Sequence, residues 1–348
     1  MTPPSPTISR VRTSVFEPAT AIDRTFPEFP AAQPIDENNY FKKHKPPPYL
    51  SEISKDVANF IASHNKLNRK VVLVTSGGTT VPLENNTVRF IDNFSAGTRG
   101  ATSAEYFLEN GYAVIFLHRE FSLLPYSRHY SHTTNCFLDY MNEDENGQVV
   151  INAEYQNEMR VVLRKYQNAR DKGLLLVVPF TTVHQYLFTL KLISQELSVI
   201  GPNGLFYLAA AVSDFFLPHS RMPEHKIQSQ NDNDGKLRVS LEAVPKFLSR
   251  LVDSWAPLAM IISFKLETDS NILLSKARGA LERYNHQLVI GNLLQTRKKE
   301  VVFVTPEEGE HWIRLTDEQH ASGTEIESLI IPEIMSLHEK WCEKTSTL

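Results

Sequence analysis

Residues 71–78 read VVLVTSGG, a short run of β-branched and apolar side chains that ends in two glycines. A continuously apolar run of this length predicts a strand that is buried on both faces, as in a parallel sheet covered by helices. Residues 98–109 predict a helix, with Ser95 or Thr98 able to cap its start, and residues 112–117 predict the next strand. This order makes a βαβ unit, which is right-handed in nearly all proteins.

The alternation of strands and helices continues along the chain. Further strands are predicted at 174–178, 205–211, 260–264 and 287–291, and further helices at 50–65, 182–197, 245–253, 270–283 and 323–340. Two short apolar runs near residues 301–315 predict a hairpin. We therefore expect an α/β fold: a Rossmann-like, mainly parallel sheet covered by helices on both faces, with a small terminal β-hairpin and a helical insertion.

Two segments depart from this alternation. Ten of the 20 prolines lie in residues 1–50. Because proline fixes φ and removes a hydrogen-bond donor, residues 1–45 are predicted to form a Pro-rich, mostly irregular arm, and residues 46–345 a single α/β domain. Residues 120–172 are polar and are predicted to be an insertion, with a helix near residues 151–169.

Composition limits the class of protein. The formal net charge is −4, which does not favour nucleic acid as a partner. The compact basic run Arg297-Lys298-Lys299 is best interpreted as a solvated loop. The two cysteines are far apart, which indicates a reducing compartment, so we expect a cytoplasmic protein, with the nucleus as a second location. No apolar run approaches the ~18 residues that a membrane span needs.

Small and polar residues follow the first predicted strand, at the edge where parallel sheets bind ligands. Gly77 and Gly78 allow close approach of the backbone, and Gly97 and Gly100 open a helix whose free N–H groups favour an anion. With the Ser, Thr, Asn and Arg side chains between them, these glycines predict a phosphate or nucleotide site. Tight turns and helix–sheet packing are the alternative explanation. Neither the dinucleotide fingerprint nor the Walker A pattern occurs in the chain.

Two further clusters follow later strands. Asp214 can accept a hydrogen bond from a hydroxyl or amide, and Lys226 can reach phosphate oxygens; a loop residue and a surface charge are their alternatives. Phe264 can stack on a base or pack in the core, and Asn292 can bind a base edge or a loop carbonyl. The carboxyl ends of neighbouring strands meet at one edge, so we expect one site.

At this point the motifs become recognisable. They strongly resemble phosphopantothenoylcysteine synthetase (phosphopantothenate–cysteine ligase) of the free-standing eukaryotic type, over about residues 50 to 340, in the segments 74–79, 88–97, 208–215, 222–227 and 262–268. The resemblance implies joining of 4′-phosphopantothenate to L-cysteine in coenzyme A biosynthesis. It also implies an acyl-nucleotide (acyl-adenylate) intermediate, release of pyrophosphate, ATP as co-substrate with CTP as the alternative, and Mg²⁺ bridging phosphate oxygens.

The resemblance also implies roles for single residues. The nucleotide site matches Gly77, Ser95, Gly97, Gly100, Lys226, Phe264 and Asn292. The phosphopantothenate site matches Asn93, Ala210, Ala211, Asp214 and Arg89, and Arg89 is expected to reach the neighbouring subunit of a homodimer. Asn93, which would hold the acyl intermediate, and Lys226 are the implied catalytic residues. No residue is implied as a metal ligand, and other coenzyme A pathway enzymes are further expected partners.

Two alternatives from other classes stay open at this point. An NAD(P)-linked reductase would share the βαβ start, but the chain has no Tyr-x-x-x-Lys pair to protonate a carbonyl. A non-catalytic binding subunit would keep the fold, but the joint presence of Asn93, Asp214 and Lys226 argues against it.

Overall fold

The computed structural model describes residues 37–131, 136–228 and 237–346. Residues 1–36 of the predicted arm lie outside these ranges. The strands of the main sheet are β1 Val71–Ser76, β4 Ala113–Arg119, β7 Leu175–Phe180, β8 Gly204–Leu208, β11 Met260–Glu267, β12 Leu288–Leu293, β13 Glu300–Thr305 and β14 Gly309–Arg314. Short pairs are formed by β2 Thr80–Pro82 with β3 Phe90–Asp92, β5 Met141–Glu143 with β6 Val149–Ile151, and β9 Phe215–Phe216 with β10 Glu242–Ala243.

The main sheet has the strand order β14-β13-β12-β11-β8-β1-β4-β7. The six strands from β12 to β7 run parallel to one another, whereas β13 and β14 are antiparallel. The predicted α/β class, the mainly parallel sheet and the terminal hairpin are therefore confirmed. The parallel strands place their carboxyl ends along one edge, which is where the predicted site residues were expected to meet.

Helices cover both faces of the sheet. The helices are α1 Glu37–Lys43, α2 Leu50–Asn65, α3 Thr98–Glu109, α4 Gln156–Asp171, α5 Val183–Leu197, α6 Leu248–Arg250, α7 Ser270–Tyr284, α8 Asp317–Ala321 and α9 Glu327–Ser346. Successive side chains of β1 point to opposite faces, so Leu73 packs in the core under α2 and α5, and Val72 in the core under α3 and α9. No helix in the described ranges has the length and apolar character needed to cross a membrane.

The described end of the N-terminal arm, which was predicted to be mostly irregular, contains a helix. Residues 37–43 form α1 rather than irregular chain, and Tyr40 is only 1% exposed. The Tyr40 ring packs edge-on against Phe216 and Phe247, with centroids 5.5 and 5.4 Å away. A buried aromatic ring contributes a large apolar area, and this contribution outweighs the local effect of the neighbouring prolines. The end of the predicted arm therefore packs against the α/β domain.

Other boundaries differ near the site. The strand predicted at 205–211 stops at Leu208, after which Ala211 forms an isolated bridge to Gly78. The helix predicted at 245–253 is observed slightly later in the chain, as α6 followed directly by a π-helix over Leu251–Trp255. The last helix, predicted at 323–340, is observed as α9 from Glu327 to Ser346, and Gly323, with a φ of +76°, lies before it; the short α8 was not predicted. The insertion contains α4 as predicted and, in addition, the small β5–β6 hairpin.

Candidate active site

A cleft of about 700 Å³ lies at the carboxyl ends of β8, β11 and β12. Eight of the residues predicted for the site line it: Asn93, Ser95, Gly97, Ala210, Ala211, Asp214, Phe264 and Asn292. Residues from three distant parts of the sequence therefore meet in one place, as the parallel topology predicts. Four basic side chains and one acidic side chain are among the described lining residues, so the cleft is more basic than the chain as a whole.

The turn after β1 joins the loops that form the cleft. Thr79 N donates to the Ala211 carbonyl at 3.0 Å, Asn93 N donates to the Thr79 carbonyl at 3.1 Å, and Ala211 N donates to the Gly77 carbonyl at 2.8 Å. A Cβ on Gly78 would lie 1.7 Å from the Asn93 carbonyl oxygen. Glycine at position 78 is therefore required for Asn93 and Ala211 to stand side by side.

The start of α3 forms a second part of the cleft. Gly97 is the N-cap, with a φ of +83°, and no side chain caps the helix. The prediction that Ser95 or Thr98 caps α3 was therefore wrong: the left-handed backbone of Gly97 makes the entry into the helix. Uncapped N–H groups at a helix start favour an anion, which suits the predicted phosphate contact.

Gly77 and Gly100 do not line the cleft. A Cβ on Gly100 would lie 2.5 Å from the Ser76 side chain, and one on Gly77 would lie 2.7 Å from Arg119 Cβ. Their visible role is close packing of α3 and of the loop after β4 against the β1 turn. This packing is the alternative that the sequence left open, and a nucleotide contact by either glycine stays a prediction.

Phe264 and Asn292 stand at the ends of neighbouring strands. The Phe264 ring is half-buried and meets the Tyr207 ring edge-on, with centroids 5.0 Å apart. Asn292 is 6% exposed and lines the same cleft. Phe264 therefore combines the two roles that the sequence offered, since it packs partly in the core and also lines the cleft.

Asp214 is paired within the cleft. Its Oδ1 accepts a hydrogen bond from Lys246 Nζ at 3.0 Å, and both side chains are more than half exposed. The carbonyl of Asp214 also accepts from Val244 N at 2.8 Å. Lys246 was not found from the sequence because it lies 32 residues further along the chain, beyond the 229–236 segment, and no local motif marks it.

Arg89 and Lys226 do not line the cleft of their own chain. Arg89 Nη1 donates to Glu84 Oε1 at 3.0 Å and to the Ile227 carbonyl at 2.9 Å, and its side chain stays 39% exposed. Asn85 N and Asn86 N donate to the carbonyls of Pro223 and Glu224, so the loops at 84–89 and 223–227 form one unit. Both predicted phosphate-binding cations thus belong to a neighbouring loop pair.

Glu84 anchors this loop pair. It is fully buried, and its carboxylate accepts from the backbone N–H groups of Arg89, Ile227 and Val88. These hydrogen bonds, with that of Arg89 first, outweigh desolvation and lower the pKa of Glu84 to about 2. An ionised Glu84 therefore fixes the position of Arg89 across the physiological pH range.

Arg297 is an exposed loop residue, as predicted, and it also lines the cleft, which the sequence analysis did not predict. Its side chain donates to the Leu294 carbonyl, and its own carbonyl accepts from Arg99, which also lines the cleft. The available signal was its position five residues after Asn292, in the loop that leaves a cleft-forming strand. Arg99 Nη1 in turn lies 2.7 Å from Glu327 Oε1.

Comparisons with known proteins agree with this geometry. A family model described as the DNA/pantothenate metabolism flavoprotein C-terminal domain matches residues 67–134 and 190–328. The chain is 55% identical to the phosphopantothenate–cysteine ligase Cab2 of Saccharomyces cerevisiae, over 99% of this chain and 98% of that protein. It is 46% identical to the human phosphopantothenate–cysteine ligase, over 84% of this chain and 94% of the human one.

A solved structure is equally similar. It is a Cab2 mutant in complex with phosphopantothenate-cysteine, with a TM-score of 0.83 and 55% identity, and it covers 89% of this chain and 100% of the Cab2 chain. Both the sequence and the fold are shared over nearly the whole described chain. The chain therefore belongs to the phosphopantothenate–cysteine ligase family.

Proposed function

We propose that this chain joins 4′-phosphopantothenate to L-cysteine at the cost of a nucleoside triphosphate, with ATP as the preferred nucleotide. The observation that carries the proposal is the meeting of two predicted groups in one cleft. Gly97, Phe264 and Asn292 were predicted to bind the nucleotide, Asn93 and Asp214 were predicted to bind the acid substrate, and all five line the cleft. The product named for the solved Cab2 complex is the product that this reaction would form.

The chemistry explains why both groups must share a cleft. A carboxylate does not react with an amine at neutral pH until one of its oxygens becomes a good leaving group. The carboxylate of phosphopantothenate would attack the α-phosphate, pyrophosphate would leave, and the cysteine amine would then displace the nucleoside monophosphate. The protein contributes mainly by positioning these groups and by stabilising the developing negative charge.

Asn93 is the residue that we assign to the acyl intermediate. Its backbone is fixed by the bond to the Thr79 carbonyl, and its side chain is exposed in the cleft near the start of α3. The side-chain amide can donate a hydrogen bond to an oxygen that gains negative charge, and this interaction is worth most when the donor is held in place beforehand. The uncapped start of α3 would hold the phosphates.

Magnesium would enter with the nucleotide. No three His, Cys, Asp or Glu side chains in the described ranges lie together as a metal site. Asp214 is the one acid among the described residues that line the cleft, and it is already paired with Lys246. Mg²⁺ keeps several waters and binds phosphate oxygens readily, so a magnesium–nucleotide complex fits these residues better than a resident ion does.

We propose a homodimer in which Arg89 serves the cleft of the partner subunit. Arg89 is held rigidly by Glu84, remains partly exposed and does not line the cleft of its own chain. An arginine that serves a neighbouring subunit would have these properties, and its planar guanidinium suits the phosphate of the acid substrate. Lys226, in the same loop pair, would act on the nucleotide phosphates. Cytoplasmic location and contacts with other coenzyme A pathway enzymes remain proposals.

The test is release of pyrophosphate by the purified protein with Mg²⁺ and, in parallel, ATP, CTP, GTP or UTP. Sustained release is expected only when phosphopantothenate and cysteine are both present, and it should be fastest with ATP. Sustained release that ignores either substrate would contradict the proposal. A nicotinamide absorbance change with a carbonyl substrate would instead support the reductase alternative.

A further inference from the structure

The cleft has a wall to which none of the predicted site residues has been assigned. Residues of the first wall, such as Ala96 and Phe264, pack with the core under α3 and α9. The opposite wall is formed by Tyr186, Leu187 and Leu190 of α5, with Leu248 and Leu251 from the α6 region. We call this set of five residues the α5 wall. It consists of apolar side chains and one tyrosine.

β11 separates the two walls and presents a serine to the α5 wall. Ile262 and Phe264 of β11 belong to the core under α3 and α9, whereas Ile261 belongs to the core under α5. Since strand residues alternate between faces, Ser263 lies on the side of the α5 wall, and it also lines the cleft. Lys265 alternates to the same side nearer the strand end, and its charge is paired with Glu267 at 3.2 Å.

Ser263 has a fixed partner behind it. Its Oγ lies 2.7 Å from His286 Nε2. His286 is only 1% exposed, and its Nδ1 is buried with no hydrogen-bond partner among the described residues. Burial lowers the pKa of His286 to about 4, so the ring is neutral at physiological pH and carries one N–H.

The position of that proton decides what Ser263 can offer. A proton on Nδ1 would leave a buried N–H without an acceptor, and orphaned buried N–H groups are rarer than under-satisfied acceptors. A proton on Nε2 lets the ring donate to Ser263 Oγ and leaves only a lone pair on Nδ1 unmatched. With His286 as donor, the hydroxyl hydrogen of Ser263 is free to point into the cleft.

The α5 wall and the neutral Ser263 hydroxyl beside it can bind only an uncharged, mostly apolar part of one of the proposed reactants. The triphosphate and zwitterionic cysteine carry charges that an apolar surface would desolvate at high cost. The body of phosphopantothenate is different, since it is uncharged: two methyl groups on one carbon are followed by a hydroxyl-bearing carbon and then an amide. The methyl groups would pack on leucine side chains, and the amide carbonyl would accept one hydrogen bond.

We propose that the α5 wall binds the apolar body of the acid substrate, that the Ser263 hydroxyl donates to its amide carbonyl, and that His286 is the positioning residue that orients this hydroxyl. The inference rests on the proposed function. It adds a binding position for the part of phosphopantothenate that lies between the phosphate and the carboxylate. The nucleotide stays on the wall of Phe264 and Asn292. The two walls then direct the carboxylate and the α-phosphate towards Asn93 between them.

The experiment compares steady-state constants of the full-length chain and its variants. Ser263→Ala is expected to raise KM for phosphopantothenate about three- to tenfold, as for the loss of one hydrogen bond, with kcat and nucleotide KM unchanged. Ser263→Thr keeps the hydroxyl and should stay near the wild type. Ser103→Ala is the matched control, because its hydroxyl also makes a buried side-chain bond, to Tyr207 at 2.9 Å, and neither of these residues lines the cleft.

A second pair of variants tests the positioning role. His286→Gln keeps an N–H near the Nε2 position and should preserve KM, whereas His286→Phe keeps a ring without a donor and should raise it. The nitrogen chemical shifts of His286 should show the proton on Nε2. The inference is overturned if Ser263→Ala changes the nucleotide KM instead of the phosphopantothenate KM, or if it changes neither constant. It is also overturned if the chemical shifts place the His286 proton on Nδ1. Because wild-type turnover is measured separately, these outcomes leave the proposed function intact.

Discussion

Arg99 Nη1 lies 2.7 Å from Glu327 Oε1, so the start of α9 holds an arginine that lines the cleft. Glu327 is 7% exposed, and burial raises its pKa although Arg99 opposes this shift. Arg99 also donates to the Arg297 carbonyl, which fixes the loop after Asn292. The Arg99–Glu327 ion pair thus connects α9 to the start of α3 and, through the Arg297 carbonyl, to the loop after Asn292.

We expect Glu327→Gln to raise the nucleotide KM about five- to tenfold, equivalent to about 1–1.4 kcal/mol, with a smaller effect on phosphopantothenate KM. Glu325→Gln is the control, because Glu325 pairs with Arg128 at 2.6 Å and neither residue lines the cleft. Equal nucleotide KM values for the two variants would contradict this role.

Gly78→Ala should reduce turnover severely. The new Cβ would meet the Asn93 carbonyl oxygen at 1.7 Å, so the turn that holds Asn93 must move. A displacement of about 1 Å at a catalytic group can reduce the rate about 100-fold. Gly279→Ala in α7 is the matched substitution, since its Cβ meets nothing within 4 Å, and it should stabilise the helix by about 0.5–1 kcal/mol. Activity of Gly78→Ala close to that of Gly279→Ala would refute the turn's role.

Mixing subunits tests the proposed exchange of Arg89. Arg89→Ala and Asn93→Asp should each be inactive alone, and a re-equilibrated equimolar mixture should recover about a quarter of wild-type activity. Half of the dimers are then mixed, and each mixed dimer has one site with both native residues. No recovery, with mixed dimers verified by mass spectrometry, would show that Arg89 acts within its own chain.

Acid sensitivity should depend on His338. This residue is fully buried, and its Nδ1 accepts from the Tyr112 hydroxyl at 2.9 Å while its Nε2–H donates to the Pro202 carbonyl at 2.8 Å. Burial lowers the pKa of His338 to about 4. As the pH falls below about 6.5, His338 therefore binds a proton in the unfolded chain but stays neutral in the folded one. Stability contributed by neutral His338 is present above about pH 6.5 and is lost as the pH falls towards 4.

Urea unfolding of wild type and His338→Gln between pH 4 and 7 measures this contribution. The wild-type free energy of unfolding should fall more steeply towards acid, by up to about 1.4 kcal/mol per pH unit, because glutamine binds no proton. His311→Gln is the control, since His311 is exposed beside Glu333. Parallel curves for wild type and His338→Gln would contradict the assignment.

The sequence was sufficient for the elements whose apolar pattern is continuous. Val71 to Val74 were predicted to form a buried strand and lie in β1, and the helix predicted at 98–109 is observed as Thr98–Glu109. Because the carboxyl ends of parallel strands share one edge, the meeting of Asn93, Asp214 and Phe264 also followed from the pattern. Local sequence therefore determined both the fold class and the place of the cleft.

Long-range partners could not be predicted in the same way. Tyr40 packs in the core against an aromatic ring that is more than 170 residues away in the sequence. The nearby prolines predicted irregular chain at this position and carried no information about that contact. Lys246, Glu327 and His286 act through single contacts with Asp214, Arg99 and Ser263, and no spacing rule connects such pairs. At Gly100 the local pattern was ambiguous for another reason. A glycine at the start of a helix is typical of a phosphate site, but here it allows α3 to pack closely on Ser76.

The central claim is that Asn93 stabilises an acyl-nucleotide formed in the cleft, and Asn93→Asp tests it most directly. Pyrophosphate and phosphopantothenoylcysteine should appear in equal amounts with wild type. The variant should bind nucleotide with unchanged affinity but form product about 100-fold more slowly, as for the loss of one oxyanion donor. Wild-type product formation by Asn93→Asp, or pyrophosphate release without product by the native chain, would contradict the account.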